Sequence, residues 1–147
     1  MILQLIGLPC SGKSTVIKSL KPSYIKIDIR DFYGFRRENK LIKHLKNVYN
    51  PQKLYIIESA CGIDIANSTI VLLDVSKTML HKRMEKRKFH LSNKDQSLLK
   101  ANMVPYQYKV NSFYCSSLIE HLWHQYQDQM NAAKQTKKNR SYSANNN

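Results

Sequence analysis

Short apolar runs alternate along the chain with longer stretches of helical periodicity, a pattern that predicts an α/β domain around a parallel sheet. Ile2–Ile6 is an apolar run of strand length, suited to burial on both faces. Tyr24–Ile29 alternates large apolar and polar side chains and predicts a second strand. Leu54–Ile57, the β-branched run Thr69–Leu73 and Tyr106–Val110 supply a third, fourth and fifth. Between them, Lys13–Leu20 reads as a helix stopped before Pro22, and Arg36–Val48 carries a helical stripe of Leu41, Ile42, Leu45 and Val48 that Asn50-Pro51 ends. Ser76–Lys88 is a charged helix, and Leu91–Met103 another with Ser92 as its cap. Ser117-Leu-Ile-Glu120 has capping-box spacing and opens a last helix to about Met130.

The pattern fades after residue 131. KQTKKNRSYSANNN is almost without apolar side chains, so it cannot bury enough surface to offset its ordering entropy. The expected organisation is one domain over 1–131 and a disordered basic tail over 132–147. No internal repeat is visible. The chain of 147 residues has room for one domain with an ordinary core. No apolar run approaches the roughly 20 residues of a membrane span, and MILQLIGLPC lacks the basic start of a secretory leader, so a cytoplasmic protein is expected. Cys10, Cys61 and Cys115 have no zinc spacing, and reduced thiols are the expectation.

Charge changes the picture. The chain has 24 Lys+Arg against 10 Asp+Glu, a formal net charge of +14. Lys134, Lys137, Lys138 and Arg140 contribute four of these charges, with no acid among them. The body keeps a strong positive field, which suits a nucleic-acid or nucleotide partner and equally a solvated basic surface.

The sharpest chemical signal is Gly7-Leu8-Pro9-Cys10-Ser11-Gly12-Lys13-Ser14, a full match to G-x-x-x-x-G-K-[ST] with an apolar strand before it and a helix after. Gly7 allows the turn off the strand, and Gly12 lets backbone N–H groups approach phosphates. Lys13 brings a charge to the β- and γ-phosphates, the Ser14 hydroxyl is placed to ligate Mg²⁺, and Thr15 is within reach of the α-phosphate. A nucleoside triphosphate, ATP by default, is therefore expected with Mg²⁺.

Three further features point to phosphoryl transfer. The second strand ends in Asp28-Ile-Arg-Asp31, and ligands of wound α/β sheets bind beyond the carboxyl ends of strands. One of these carboxylates, Asp31 in the first instance, would take the proton of an attacking hydroxyl. Glu58, at the end of the third strand, is a second candidate for the metal's shell; Asp74 is a poorer one. Arg83 and Arg87 lie four apart on one helical face, placed to clamp a transferring phosphoryl group.

With these residues in view, the chain resembles the P-loop kinases, and within them the kinase domain of phage-type polynucleotide kinases. Gly7-x-Pro9-x-Ser11-Gly12-Lys13-Ser14-Thr15 is similar to that family's phosphate loop. Arg30-Asp31-x-Tyr33 resembles its strand-two motif, and Leu73-Asp74-Val75 with Leu80-x-Lys82-Arg83-x-x-Lys86-Arg87 resembles its fourth strand and lid. Gly34 stands where the family carries an acceptor-binding arginine, with Arg36 and Arg37 close behind. The resemblance implies a P-loop NTPase-like three-layer sandwich with a parallel sheet of about five strands and a small helical lid. It further implies transfer of the ATP γ-phosphate to a 5′-hydroxyl of DNA or RNA, with Asp31 as the base. A kinase of a small acceptor (nucleoside, nucleotide or metabolite) and a nucleotide-binding module without transfer are the alternatives. In the polymer reading, Lys40, Lys43, His44, Lys46 and Tyr49 give the second helix a basic face for an oligonucleotide.

Overall fold

The structure, a computed structural model, describes residues 1–146. Five strands, β1 (Ile2–Ile6), β2 (Ile25–Asp28), β3 (Tyr55–Ser59), β4 (Ser68–Asp74) and β5 (Tyr108–Asn111), make one sheet in the order β2-β3-β1-β4-β5. Every neighbouring pair is parallel. The crossovers are carried by α1 (Lys13–Ser19), α2 (Arg37–Val48), α3 (Lys77–Lys86) and α4 (Asn93–Ala101), and α5 (Ser112–Asn145) follows β5. A 3₁₀ turn at Ile29–Asp31 extends β2.

The central strands are apolar because both faces are covered. On one face Tyr55 and Ile57 of β3 pack with Ile27, Leu41 and Leu45, joining α2 to the sheet. On the other, Glu58 meets the first turn of α1. Strand alternation puts those two sets on opposite sides, which gives three layers. Gln4 is the exception in β1, fully buried among leucines. Its amide donates to Ile63 O at 2.7 Å and Ser68 Oγ at 3.0 Å, and its Oε1 accepts from Ile63 N at 2.8 Å. Those bonds offset the cost of burying an amide and pin the β3–β4 connection against the sheet.

Two expectations about the C-terminal region are corrected. No helix opens at Ser117. The helix begins at Ser112, where Asn111 Oδ1 accepts from Tyr114 N at 3.1 Å, so Ser117–Glu120 lies inside it. The segment expected to be disordered continues α5 to Asn145. Ala132, Ala133, Gln135 and the lysines are good helix formers, and an established helix extends at little cost where no new nucleus is needed. The chain divides into two compact units, Met1–Ser116 and Ser117–Asn147. The first holds the whole sheet. In the second, Trp123 and Tyr126 stack with ring centroids 5.6 Å apart. Among the described residues no helix is long and apolar enough to cross a membrane.

Candidate active site

The loop between β1 and α1 sits at the carboxyl end of the central strand, flanked by β3 and β4. Leu8 is buried with Leu80 and Met84, which ties the loop to α3. Gly7 has no room for a side chain, since a Cβ there would lie 2.9 Å from Ser11 Oγ and 3.1 Å from Leu73 O. Gly12 has φ 101° and packs against Arg83, whose Nη1 would be 3.1 Å from a Cβ. Cys10 adopts φ 66°, a left-handed conformation that costs a side-chain-bearing residue roughly 1–2 kcal/mol.

Lys13 folds back into this loop. Its Nζ donates to Gly7 O at 2.6 Å, Leu8 O at 3.0 Å and Ser11 Oγ at 3.4 Å. Burial brings its pKa down to about 8, with Glu58 opposing that shift by favouring the charged form. Ser14 Oγ donates to Glu58 Oε1 at 2.6 Å. Asp28 is the register partner of Glu58 across β2 and β3, so both side chains leave the same face of the sheet. Asp28 accepts from Arg30 N at 2.9 Å and pairs with the Arg30 guanidinium at 2.6 Å. That hydrogen-bonded arginine holds its carboxyl below the usual range.

These groups converge on a cavity of about 500 Å³ lined by Lys13, Ser14, Asp28, Glu58, Arg37 and Arg87 among others. Arg87 also lines a second hollow of about 650 Å³ with Thr15, Arg83, Lys86 and Phe113. Arg83 reaches the loop directly, its Nη1 donating to Ser11 O at 2.7 Å. A third hollow, about 800 Å³, is lined by Arg30, Tyr33, Phe35, Arg36 and Arg37. Arg30 and Arg37 border both the first and the third.

Of the residues expected from the motifs, Lys13, Ser14, Asp28, Glu58 and Arg87 line the loop cavity, and Arg83 lines the second hollow with Arg87. Asp31 is exposed in the 3₁₀ turn and is not among the residues lining the loop cavity, whereas Asp28 is. Sequence reasoning missed Arg30 as the partner of Asp28, and Phe113 beside Arg83 and Arg87. The i, i+2 spacing of Asp28 and Arg30 could have signalled the first; for Phe113 only its place right after β5 was available. As a metal site, Ser14 Oγ and Glu58 Oε1 are hard oxygen donors side by side. Mg²⁺ is commonly held by one carboxylate, a hydroxyl, waters and substrate phosphates, so the donor set fits.

The fold is a three-layer α/β sandwich with a phosphate loop after its central strand. Scanned against protein families the chain matches none, and no curated protein matches it by sequence. Solved structures are similar in fold. A sugar kinase from Janibacter sp. HTCC2649, unliganded, aligns at 11% identity over 86% of this chain and 94% of that one, TM-score 0.64. A gluconokinase from Sinorhizobium meliloti 1021 aligns at 15% identity over 84% and 95%, TM-score 0.52. A shikimate kinase from Aquifex aeolicus vf5 aligns at 20% identity over 76% and 86%, TM-score 0.49. At such identities the first two speak for the fold alone. The resemblance to polynucleotide kinases gains no specific support from them.

Proposed function

We propose that this protein transfers the γ-phosphoryl group of ATP to a hydroxyl of a small-molecule acceptor. The observation that carries the reading is the convergence of Lys13, Ser14, Glu58, Asp28 and Arg87 on one cavity beside the phosphate loop. The fold shared with a sugar kinase and a gluconokinase is consistent with it.

In this reading the triphosphate lies along the loop, and Lys13 exchanges its carbonyl partners for phosphate oxygens. Ser14 and Glu58 would hold Mg²⁺, which supplies neutralisation of phosphate charge. Asp28 orients the acceptor hydroxyl and receives its proton. Its lowered pKa makes it a weak base, but phosphoryl transfer through a loose transition state needs orientation more than basicity. Arg30 fixes the carboxylate's direction. Arg83 of α3 and Arg87 at its C-terminal cap close on the transferring group and exclude water. The base of the nucleotide has a place in the hollow bounded by Thr15, Arg83 and Phe113.

A second reading for the acceptor rests on the third hollow. Tyr33 and Phe35 are 80% and 84% exposed, and the Arg36 guanidinium lies over the Phe35 ring at 5.1 Å. Exposed aromatics among arginines suit a planar base carrying phosphate, as at a nucleotide or the 5′ end of DNA or RNA.

The test is label transfer from γ-labelled ATP to sugars, sugar acids, nucleosides, mononucleotides and 5′-hydroxyl oligonucleotides, with Lys13→Ala as blank. Labelled sugar or sugar acid favours the first reading, and labelled nucleotide or oligonucleotide the second. Asp28→Asn is expected to lower turnover by about 10²–10⁴ with ATP affinity nearly intact. A fully active Asp28→Asn beside an inactive Asp31→Asn would transfer the role to Asp31. Turnover unchanged in Lys13→Ala would end the proposal.

A further inference from the structure

The last turns of α5 carry a feature that phosphoryl transfer does not use. Residues 131–146 are all exposed. Lys134, Lys137, Lys138 and Ser141 follow the i, i+3, i+4, i+7 spacing that puts side chains on one helical face. Tyr142 sits one turn beyond Lys138, 60% exposed, with the Lys138 ammonium 6.0 Å from its ring centroid. The stripe from Lys134 to Tyr142 is about 12 Å long at 1.5 Å per residue. Asp128 is the last acid in the sequence and lies six residues before Lys134, so no side-chain carboxylate of α5 stands within one turn of the stripe. Like charges three and four apart repel by a few tenths of a kcal/mol per pair, which an isolated solvated helix gains nothing by keeping.

We propose that this face binds single-stranded nucleic acid, with Lys134, Lys137 and Lys138 on successive phosphates and Tyr142 against an unpaired base. Phosphates remove the repulsion and release counterions, the main source of affinity for a polyanion. The aromatic ring at the end of the stripe selects unpaired over paired bases, because only an unstacked base offers a free face. The chemistry favours this partner over two others. A membrane-surface helix needs an apolar face opposite its basic one, and a docked partner helix needs an apolar stripe. Residues 131–146 have neither: beyond Ala132, Ala133 and Ala144, only Tyr142 is apolar in part. The proposal stands apart from the acceptor question, since it concerns a surface outside the phosphate-loop cavities.

The experiment uses the full chain without ATP and a 5′-phosphorylated, fluorescently labelled 12-mer, so that binding is not read as phosphate acceptance. Anisotropy is followed from 50 to 200 mM salt for the single strand, its annealed duplex, and phosphatidylserine–phosphatidylcholine vesicles. Replacing all three lysines by glutamine is expected to flatten the log–log salt slope by about 2, so that wild-type affinity falls roughly 20-fold more over that range. The triple arginine variant keeps the slope. Tyr142→Ala weakens single-strand binding at least about fivefold and leaves the slope unchanged. Far-UV circular dichroism checks that α5 persists in each variant, with the arginine and alanine variants deciding if the glutamine variant loses helix. A glutamine variant with the wild-type slope, duplex binding as tight as single-strand binding, or vesicles bound in preference to the oligonucleotide would each overturn the proposal.

Discussion

The ammonium of Lys13 donates to three neutral acceptors, Gly7 O, Leu8 O and Ser11 Oγ, inside a loop that shields it from water. Burial therefore lowers its pKa from 10.5 to about 8, because the charged form loses more hydration than these oxygens restore. Between roughly pH 8 and 10.5 the unfolded chain then holds a proton that the folded chain has released, so folding stability rises with pH across that window. A bound triphosphate reverses the preference by favouring the ammonium. ATP binding should take up a proton near pH 8, and affinity should be level below pH 7 and fall above pH 8, approaching tenfold per unit. Calorimetry in buffers of different ionisation enthalpy measures the proton directly. Lys13→Arg, which cannot deprotonate, should abolish the dependence. Affinity independent of pH from 7 to 9 in the wild-type chain would show that the loop does not desolvate this lysine.

At the scale of elements, β1, β3 and β4 were legible because they lie in the middle of the sheet, where burial on both faces leaves an apolar run with few interruptions; the edge strands β2 and β5 showed instead as short alternating runs. All five predicted strands exist, each shifted by no more than two residues at either end. The phosphate loop was legible because its glycines answer to local geometry, and Ser92 because its Oγ accepts from Asp95 N as a cap should. Which of Asp28 and Asp31 borders the loop cavity was not. It depends on the 3₁₀ turn that follows β2, in which Asp28 caps the turn toward the cavity and Asp31 is exposed; two acids three apart give no sign of that. The Ser117 capping box misled because its letters recur by chance inside a helix already capped by Asn111. Gly62 shows another link invisible in sequence. It follows β3 at φ 82°, donates its N–H to Ser59 Oγ at 2.9 Å, and faces β1 and the segment between α4 and β5. A methyl there would drive into Val104 Cγ2 and come within 3.2 Å of Ile6 Cγ2. Gly62→Ala should cost about 2–4 kcal/mol, combining the left-handed backbone with overpacking. Urea denaturation measures this, and a loss under about 0.5 kcal/mol would mean that the 102–107 segment moves aside freely.

For the whole molecule the question is where the folded body ends. Residues 132–145 are helical but wholly exposed, and none belongs to the buried core. Secondary structure and contribution to stability are separate properties: a helix with no buried side chain adds a few tenths of a kcal/mol at most through propensity and its dipole. Deleting residues 132–147 removes four of the 24 basic residues and none of the ten acids, so the net charge falls from +14 to +10. Truncation after Asn131 should therefore leave ATP affinity and turnover within about twofold. A change within about 0.5 kcal/mol corresponds to a melting temperature shifted by no more than about 2 °C in a chain of this size. The shortened chain should still lose the salt-dependent part of single-strand binding assigned to Lys134, Lys137 and Lys138. A melting temperature lowered by about 10 °C or more would show that the terminal turns of α5 are part of the cooperative fold, and the boundary at residue 131 would have to move toward the C-terminus.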